Sequence, residues 1–239
     1  MNTDKNKTVL IIGSAGGLGT ELIQYFEDKP YQLALHFHDQ SPTYTDNNIK
    51  TYQADITIES EVSEMIKAIY KDFGKIDVVI HNAGVSRNNM SWKTDKADWD
   101  ETIAVNLTGP FLVSKYVTPY MRDANFGRII FMSSVVAQTG FIGTAAYGAS
   151  KAGLIGLTKT LAKELANKNI TVNSIALGYF NAGMINDVPL DMQDQLKAQI
   201  PVGKLGNPQD LAALIAFIIS DESNYLTGQV LNLNGGLYA

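Results

Sequence analysis

Thr8-Val-Leu-Ile-Ile-Gly-Ser-Ala-Gly-Gly-Leu-Gly19 is a short apolar run, then a glycine turn, then the start of a helical pattern. Glycine in the turn removes the Cβ that would keep a backbone away from a phosphate, and the helix behind it offers free N–H groups and a positive dipole end to a pyrophosphate. The spacing, Gly13-x-x-x-Gly17-x-Gly19, differs from the general G-x-G-x-x-G fingerprint. Taken alone, it also fits a glycine-rich turn that binds nothing. Its place after the first strand candidate favours the phosphate reading.

Outward from this stretch, β-branched runs alternate with longer helical patterns. Strands are expected at Thr8–Ile12, Gln32–Phe37, Ile49–Tyr52, Ile76–His81, Arg128–Ser133, Ile170–Ala176 and Gln229–Leu233. Helices are expected near Leu18–Asp28, Glu59–Phe73, Ala97–Asp123, Tyr147–Ala166 and Pro208–Ser220. Near-continuous apolar strands separated by helices imply a parallel sheet covered on both faces, joined by right-handed crossovers. No repeat or linker interrupts the pattern, so 1–239 reads as one domain. The exception is an irregular stretch from about Gly178 to Lys204 with Pro189 and Pro201 inside it, the length of a lid or binding segment.

Composition narrows the function. With 45% hydrophobic and 18% charged residues the chain can bury a core, and its net charge of −5 gives no basic face for nucleic acid. There is no cysteine, which removes disulfides, thiolate metal sites and a thiol nucleophile. No H-E-x-x-H or G-x-S-x-G pattern occurs, so neither a zinc protease nor a serine hydrolase is supported, and no metal is expected. Met1–Lys7 is polar and the following apolar run is too short for a secretory signal. No stretch reaches the roughly 18 apolar residues of a membrane span. A cytoplasmic protein without membrane contact is expected.

The reactive candidates sit in the second half. Tyr147-Gly-Ala-Ser-Lys151 opens a helical run, and four-residue spacing puts Tyr147 and Lys151 on one face. An ammonium beside a phenol favours the phenolate and lowers its pKa, so the tyrosine exchanges protons with a substrate oxygen. Ser134 closes the fifth strand, where its hydroxyl would hold the same oxygen. A Tyr–Lys pair on a helix is often accidental; the serine and the glycine loop together argue otherwise. Asp55 after the third strand also fits a solvated turn or cap, and Asn82-Ala83-Gly84 after the fourth also fits an ordinary turn.

These segments together, with Val105-Asn-Leu, Gly127-Arg-Ile-Ile, Ile170-Thr-Val-Asn173, Leu226-Thr-Gly-Gln-Val and Asn234-Gly-Gly, resemble the short-chain dehydrogenase/reductase family across essentially the whole chain. The similarity is greatest to bacterial 3-oxoacyl-acyl-carrier-protein reductases and acetoacetyl-CoA reductases. The resemblance implies a doubly wound α/β domain of Rossmann type, with a seven-stranded, mainly parallel sheet. It implies Tyr147 as general acid in reduction, Lys151 tuning it and holding the nicotinamide ribose, and Ser134 orienting the carbonyl. Asn106 would distort its helix so that a backbone carbonyl binds a proton-relay water. Cofactor contacts fall, by the same resemblance, on Gly13, Ser14, Gly17, Leu18, Gly19, Phe37, His38, Asp55, Ile56, Asn82, Ala83, Gly84, Tyr147, Lys151, Gly178 and Phe180. A homotetramer is implied, built partly on the helices around the fifth strand, with Gly153 and Gly156 permitting close approach.

The chain also departs from the family. Ile12, Leu177 and Ala182 stand where it usually has threonine, proline and threonine. Asn125 and Lys168 occupy positions where carrier-protein reductases tend to carry arginine, so one cation remains for an acidic carrier. The acid that selects NAD(H) at the end of the second strand is replaced by Phe37, which removes an obstacle to a 2′-phosphate. Gly16 stands where NADP(H) enzymes often carry a cation, leaving His38 as the nearest donor, while Asp39 would favour NAD(H). The reading is therefore an NADP(H)-preferring reductase of a 3-oxoacyl thioester. The rivals are a dehydrogenase or reductase of another small alcohol, sugar or steroid, and a non-catalytic nucleotide-binding protein.

Overall fold

A computed structural model describes residues 7–42, 44, 46 and 48–239. The leader reading of Met1–Lys7 falls, except for Lys7, outside the described residues. Strands β1 (Lys7–Ile12), β2 (Tyr31–Phe37), β3 (Ile49–Gln53), β4 (Val78–His81), β5 (Gly127–Ser134), β6 (Ile170–Leu177) and β7 (Val230–Leu233) form one sheet. Its order is β3-β2-β1-β4-β5-β6-β7, and every pairing is parallel. The expected strands are thus all present, and the sheet is parallel throughout.

Alternation along β1 shows why both faces must be covered. Leu10 and Ile12 enter one apolar cluster with residues of α2 (Glu59–Phe73), α4 (Gly109–Ala124) and α6 (Ala145–Leu165). Val9 and Ile11 enter the other, with residues of α1 (Gly17–Phe26) and α8 (Pro208–Ile219). Each fully buried Val or Ile contributes roughly 1.5–3 kcal/mol, which makes the central strands the anchor of the fold. Chain order reverses between β1 and β4, so a crevice opens beyond their carboxyl ends, where ligands bind in open α/β sheets.

Three expectations change. The single helix expected over Ala97–Asp123 is α3 (Lys96–Ile103), a π-helical turn at Ala104–Thr108, and α4. The Gly109 amide bonds the carbonyl of Ala104, five residues back. Pro110 has no N–H to offer the Asn106 carbonyl, so the α pattern cannot simply continue. Secondly, the stretch read as irregular carries a 3₁₀ turn at Gly183–Asp187 and a further helix, α7 (Leu190–Gln199). None of the α7 residues is buried, so it has no apolar stripe to read. Thirdly, a Cβ on Gly153 would come within 2.7 Å of Leu107 of the same chain, so that glycine serves internal packing. Gly156, the other glycine of the pair, has open space around it. The helix α5 (Val136–Thr139), a single turn after β5, completes the set.

At the far edge, Asn173 of β6 is wholly buried; its amide donates to Leu226 O at 2.8 Å and its carbonyl accepts from Gln229 N at 3.1 Å. The Leu226–Val230 segment is thereby clamped onto the sheet before β7 begins. Asn173→Ala leaves both backbone groups without these partners and is expected to lower unfolding free energy by about 2–4 kcal/mol, measured by urea denaturation. A loss under about 0.5 kcal/mol would show that the clamp is not needed.

Candidate active site

The crevice is built by backbone segments that approach too closely for side chains. Gly13, at φ +77°, lies against Ala83: a Cβ there would sit 2.6 Å from the Ala83 Cα. The Asn82 amide donates to Gly13 O at 2.8 Å, and the Asn82 and Ala83 N–H groups both donate to Ile12 O. The end of β4 is thus stitched to the glycine turn. Gly17 presses on Gly183, where a Cβ would lie 2.4 Å from the backbone N, so the turn also meets the segment after β6. The first turn of α1 has neither a side-chain cap nor an acidic residue. Its free amides and dipole end, beside a cradle that tolerates no Cβ, fit a pyrophosphate.

A second cluster lies next to it. A Cβ on Gly84 would be 3.3 Å from Lys151 Nζ and 3.4 Å from Asn106 Oδ1, so this glycine makes room for both. Asn106 is fully buried; it accepts from Val85 N and donates to Val85 O, each at 2.8 Å, and to Ser150 Oγ at 3.1 Å. Ser150 donates in turn to Tyr147 O at 2.7 Å. The π-helical turn is therefore tied sideways to the helix carrying Tyr147 and Lys151. Lys151 Nζ donates to Met132 O of β5 at 2.8 Å and stands 5.6 Å from the centre of the Tyr147 ring. Ser134, at the end of β5, neighbours the Tyr147 phenol, and its hydroxyl accepts from the Val136 N–H at 3.2 Å.

Electrostatics follow burial. Lys151 is pushed down to about 8 by burial. The Tyr147 phenol is raised by burial, with the Ser134 hydroxyl pulling the other way and the neighbouring Tyr179 adding to the rise. The Tyr147 phenol is thus raised, where an adjacent ammonium was expected to lower it; the Lys151 ammonium is bound to the Met132 carbonyl. A phenol held protonated at neutral pH is suited to giving a proton away. His81 is driven down to about 3, chiefly by burial, and stays neutral, stacked on Phe131 with centroids 4.7 Å apart.

Asn106, Ser134, Tyr147 and Lys151 are brought together, and Gly13, Gly17, Asn82, Ala83 and Gly84 form the adjoining cradle. Gly19 packs under it, since a Cβ there would lie 2.4 Å from Gly13 O. Other expected contacts have side chains committed elsewhere. Ser14 is buried and donates its hydroxyl to His36 O at 2.8 Å. Leu18 is half-buried against the apolar cluster of α1. Ile56 points into the core, where it fills the space over Gly109. Phe180 packs over Gly206, and Gly178 lies against Asn234. Asp55 Oδ1 accepts from both the amide and the hydroxyl of Thr57, at 2.8 and 2.7 Å, so it also acts as a turn cap. His38, exposed at the end of β2, sits 3.1 Å from Asp39 and 3.8 Å from Asp55. With Glu61 and Gln53 these groups line a cleft beside half-buried Phe37. Among the described residues, no group of three or more His, Asp or Glu is placed to hold a metal ion.

Sequence reasoning did not single out Ser150, Tyr179, Gly183 or the Met132 carbonyl. Ser150 lies inside the quoted Tyr147–Lys151 stretch, one helical turn from Tyr147, and that spacing was the available signal. A backbone carbonyl carries none.

Comparison with known proteins agrees with this geometry. A family model described as enoyl-(acyl carrier protein) reductase matches residues 13–238. A Staphylococcus epidermidis protein named 3-oxoacyl-[acyl-carrier-protein] reductase is 36% identical, the alignment covering 98% of this chain and 99% of its own. A Thermotoga maritima protein of the same name is 37% identical, with 98% of each chain covered. A third, from Vibrio cholerae, is 33% identical over 98% of each.

Gly17→Ala forces the turn away from Gly183 and is expected to weaken dinucleotide binding by about tenfold or more. Gly16→Ala, where a Cβ would have only Gly13 O at 3.7 Å, should change affinity little. Titration of intrinsic fluorescence with the dinucleotide reads both, and equal effects would mean that the Gly17–Gly183 contact does not shape the cradle.

Proposed function

Since the chain belongs to the short-chain dehydrogenase/reductase family, as an NAD(P)-dependent oxidoreductase acting on a CH–OH/C=O pair, we propose that it reduces a 3-oxoacyl thioester to the 3-hydroxyacyl form. The observation that carries this reading is the gathering of Ser134, Tyr147 and Lys151 beside the glycine cradle. Two neighbouring hydroxyls suit a carbonyl oxygen that gains negative charge in the transition state. When bound, the nicotinamide supplies the hydride. Ser134 holds the carbonyl oxygen, and Tyr147 gives it the proton. Lys151 stabilises the phenolate left behind and holds the ribose. Asn106 keeps the π-helical turn in place, so that a backbone carbonyl of that turn holds a water that restores the proton.

The thioester class is supported by the printed names of the relatives and by apolar side chains on the segments flanking the site. Phe141 and Ile142 precede α6, while Met184, Leu190 and Met192 lie in the 178–204 segment, all exposed. We assign that segment to substrate binding within one domain. CoA and acyl carrier protein both remain as carriers. Lys168 supplies one cation, and Asn125 adopts φ +52° at the C-cap of α4, a conformation asparagine tolerates better than arginine. A homotetramer through the α4 and α6 faces is supported by the open space at Gly156.

Tyr147→Phe is expected to reduce kcat with acetoacetyl-CoA by about 10²–10⁴-fold while nearly preserving cofactor affinity. A variant keeping more than about a tenth of the wild-type rate would remove Tyr147 from the proton path. Activity on a 2-enoyl thioester but not on the 3-oxo compound would replace the proposed substrate. The sign of the pH dependence is fixed by Lys151: its ammonium is present at neutral pH and lost as pH rises through about 8, so reduction should slow across that window.

NADP(H) is the proposed donor, supported by Phe37 at the β2 end and by His38 facing the cleft. A second reading, NAD(H), is favoured by the carboxylates of Asp39, Asp55 and Glu61 around the same cleft. A 2′-phosphate would meet one histidine and three acids, so the preference should be modest, within about tenfold in kcat/KM. Measuring kcat/KM with both cofactors decides it; a larger advantage for NADH would assign the cleft to Asp39 and a free 2′-hydroxyl.

A further inference from the structure

We infer that His36 is the positioning residue that sets the shape of the dinucleotide loop, and that the loop keeps this shape only while the His36 ring is neutral. The inference rests on the glycine turn being the dinucleotide site. His36 belongs to β2, is 2% exposed, and touches the turn through both its ring and its backbone. Its Nδ1 accepts from the Gly13 N–H at 3.1 Å. Its carbonyl accepts from the Ser14 N–H at 2.9 Å and from the Ser14 hydroxyl at 2.8 Å. Its Nε2 lies 2.9 Å from Ala54 O, on the segment that walls the adjoining cleft. One side chain therefore joins the phosphate turn to the far side of the cofactor crevice.

These partners leave the ring one protonation state. The Gly13 amide can only donate, so Nδ1 must be a bare acceptor. The Ala54 carbonyl can only accept, so Nε2 must carry the hydrogen. A second proton would sit on Nδ1 and face the Gly13 N–H, donor against donor, in a buried place where an unmet donor is costly. Imidazolium and this turn exclude each other, and moving Gly13 would disturb its contacts with Ala83 and Asn82.

The surroundings hold the ring neutral at ordinary pH. Burial is the largest influence and lowers its pKa below the usual 6.5; the Ala54 carbonyl opposes, His38 lowers it further, and Asp55 opposes. The other groups near it are settled. Tyr52, opposite on β3, is held protonated with its hydroxyl on Asp72. His81 of β4 is neutral. Glu61 of α2 accepts from the Asp55 amide at 2.7 Å. Because the pKa is depressed in the folded state, affinity is intact at neutral pH and is lost as pH falls below that depressed value. The limit is about tenfold per pH unit for one linked proton.

The test uses NAD⁺, which has no 2′-phosphate to titrate, on the full chain carrying His38→Asn so that only the buried ring of this pair responds. Isothermal titration from about pH 8 to about pH 5 gives the affinity, and ¹⁵N-histidine NMR gives the tautomer and titration of His36. Expected are a bare Nδ1 at neutral pH, an NAD⁺ affinity that falls where the ring titrates, and a flat profile in His36→Asn, whose Oδ1 accepts but gains no proton. A proton on Nδ1 at neutral pH overturns the inference. So does a ring that titrates with no change in affinity, or an unaltered acid loss in His36→Asn. Absence of binding of both NAD⁺ and NADP⁺ at about pH 7.5 would instead remove the dinucleotide reading itself, and this inference with it; binding of NADP⁺ alone moves the same titration to NADP⁺.

Discussion

The contact between Gly13 and Ala83 is the constraint on which the site depends. Two neighbouring parallel strands end there, and their continuing chains approach until a single added methyl would overlap the other backbone. That approach lets Asn82 reach Gly13 O, and it places Gly84 under the amine of Lys151 and the amide of Asn106. From Gly84 onward the reacting groups are located by contact rather than by loop length. Asn106 grips Val85, Ser150 grips Asn106, and Ser150 belongs to the helix of Tyr147 and Lys151. A displacement at Val85 would therefore travel through hydrogen bonds of ordinary length to the backbone of Tyr147.

Burying so many polar groups would be costly if they were left unpaired. Here they satisfy one another without recourse to ion pairs. Lys151 donates a hydrogen bond to a carbonyl of β5, His36 sits between an amide and a carbonyl, and Asn106 uses both ends of its amide. Ion pairs such as Arg87–Glu101 and Lys115–Glu59 lie away from the site on half-exposed side chains, where they contribute little. Groups of this kind are held by geometry, and their protonation is governed by desolvation. The same rule raises the Tyr147 phenol and lowers the Lys151 amine.

The sheet was readable because its inner strands are buried along their whole length: β1 and β4 are short apolar runs, and β5 and β6 are β-branched stretches with a few buried polar residues. The Tyr147–Lys151 pair was readable because helix spacing is local. What escaped is what spacing cannot carry. The π-helical turn needs Asn106 bonded across space to Val85, and Pro110 alone reads only as a helix start. Helix α7 has no buried face, so its sequence carries no periodic apolar signal between two prolines. His36 and His38 flank Phe37, and nothing in the sequence of the strand announces which of the two faces Gly13.

The same division separates chemistry from selection. Asn106, Ser134 and Lys151 are nearly inaccessible, wedged among β4, β5 and the two long helices, where any change of volume disturbs the core. Leu190, Met192 and Met184 belong to a segment that contributes little to either apolar cluster and leaves them exposed. Substitution there removes little packing energy, so the mouth of the site can vary in size and polarity without loss of the fold. Under the proposed function, the buried cluster carries the proton transfer, and the unburied segment beside it is free to vary with the substrate.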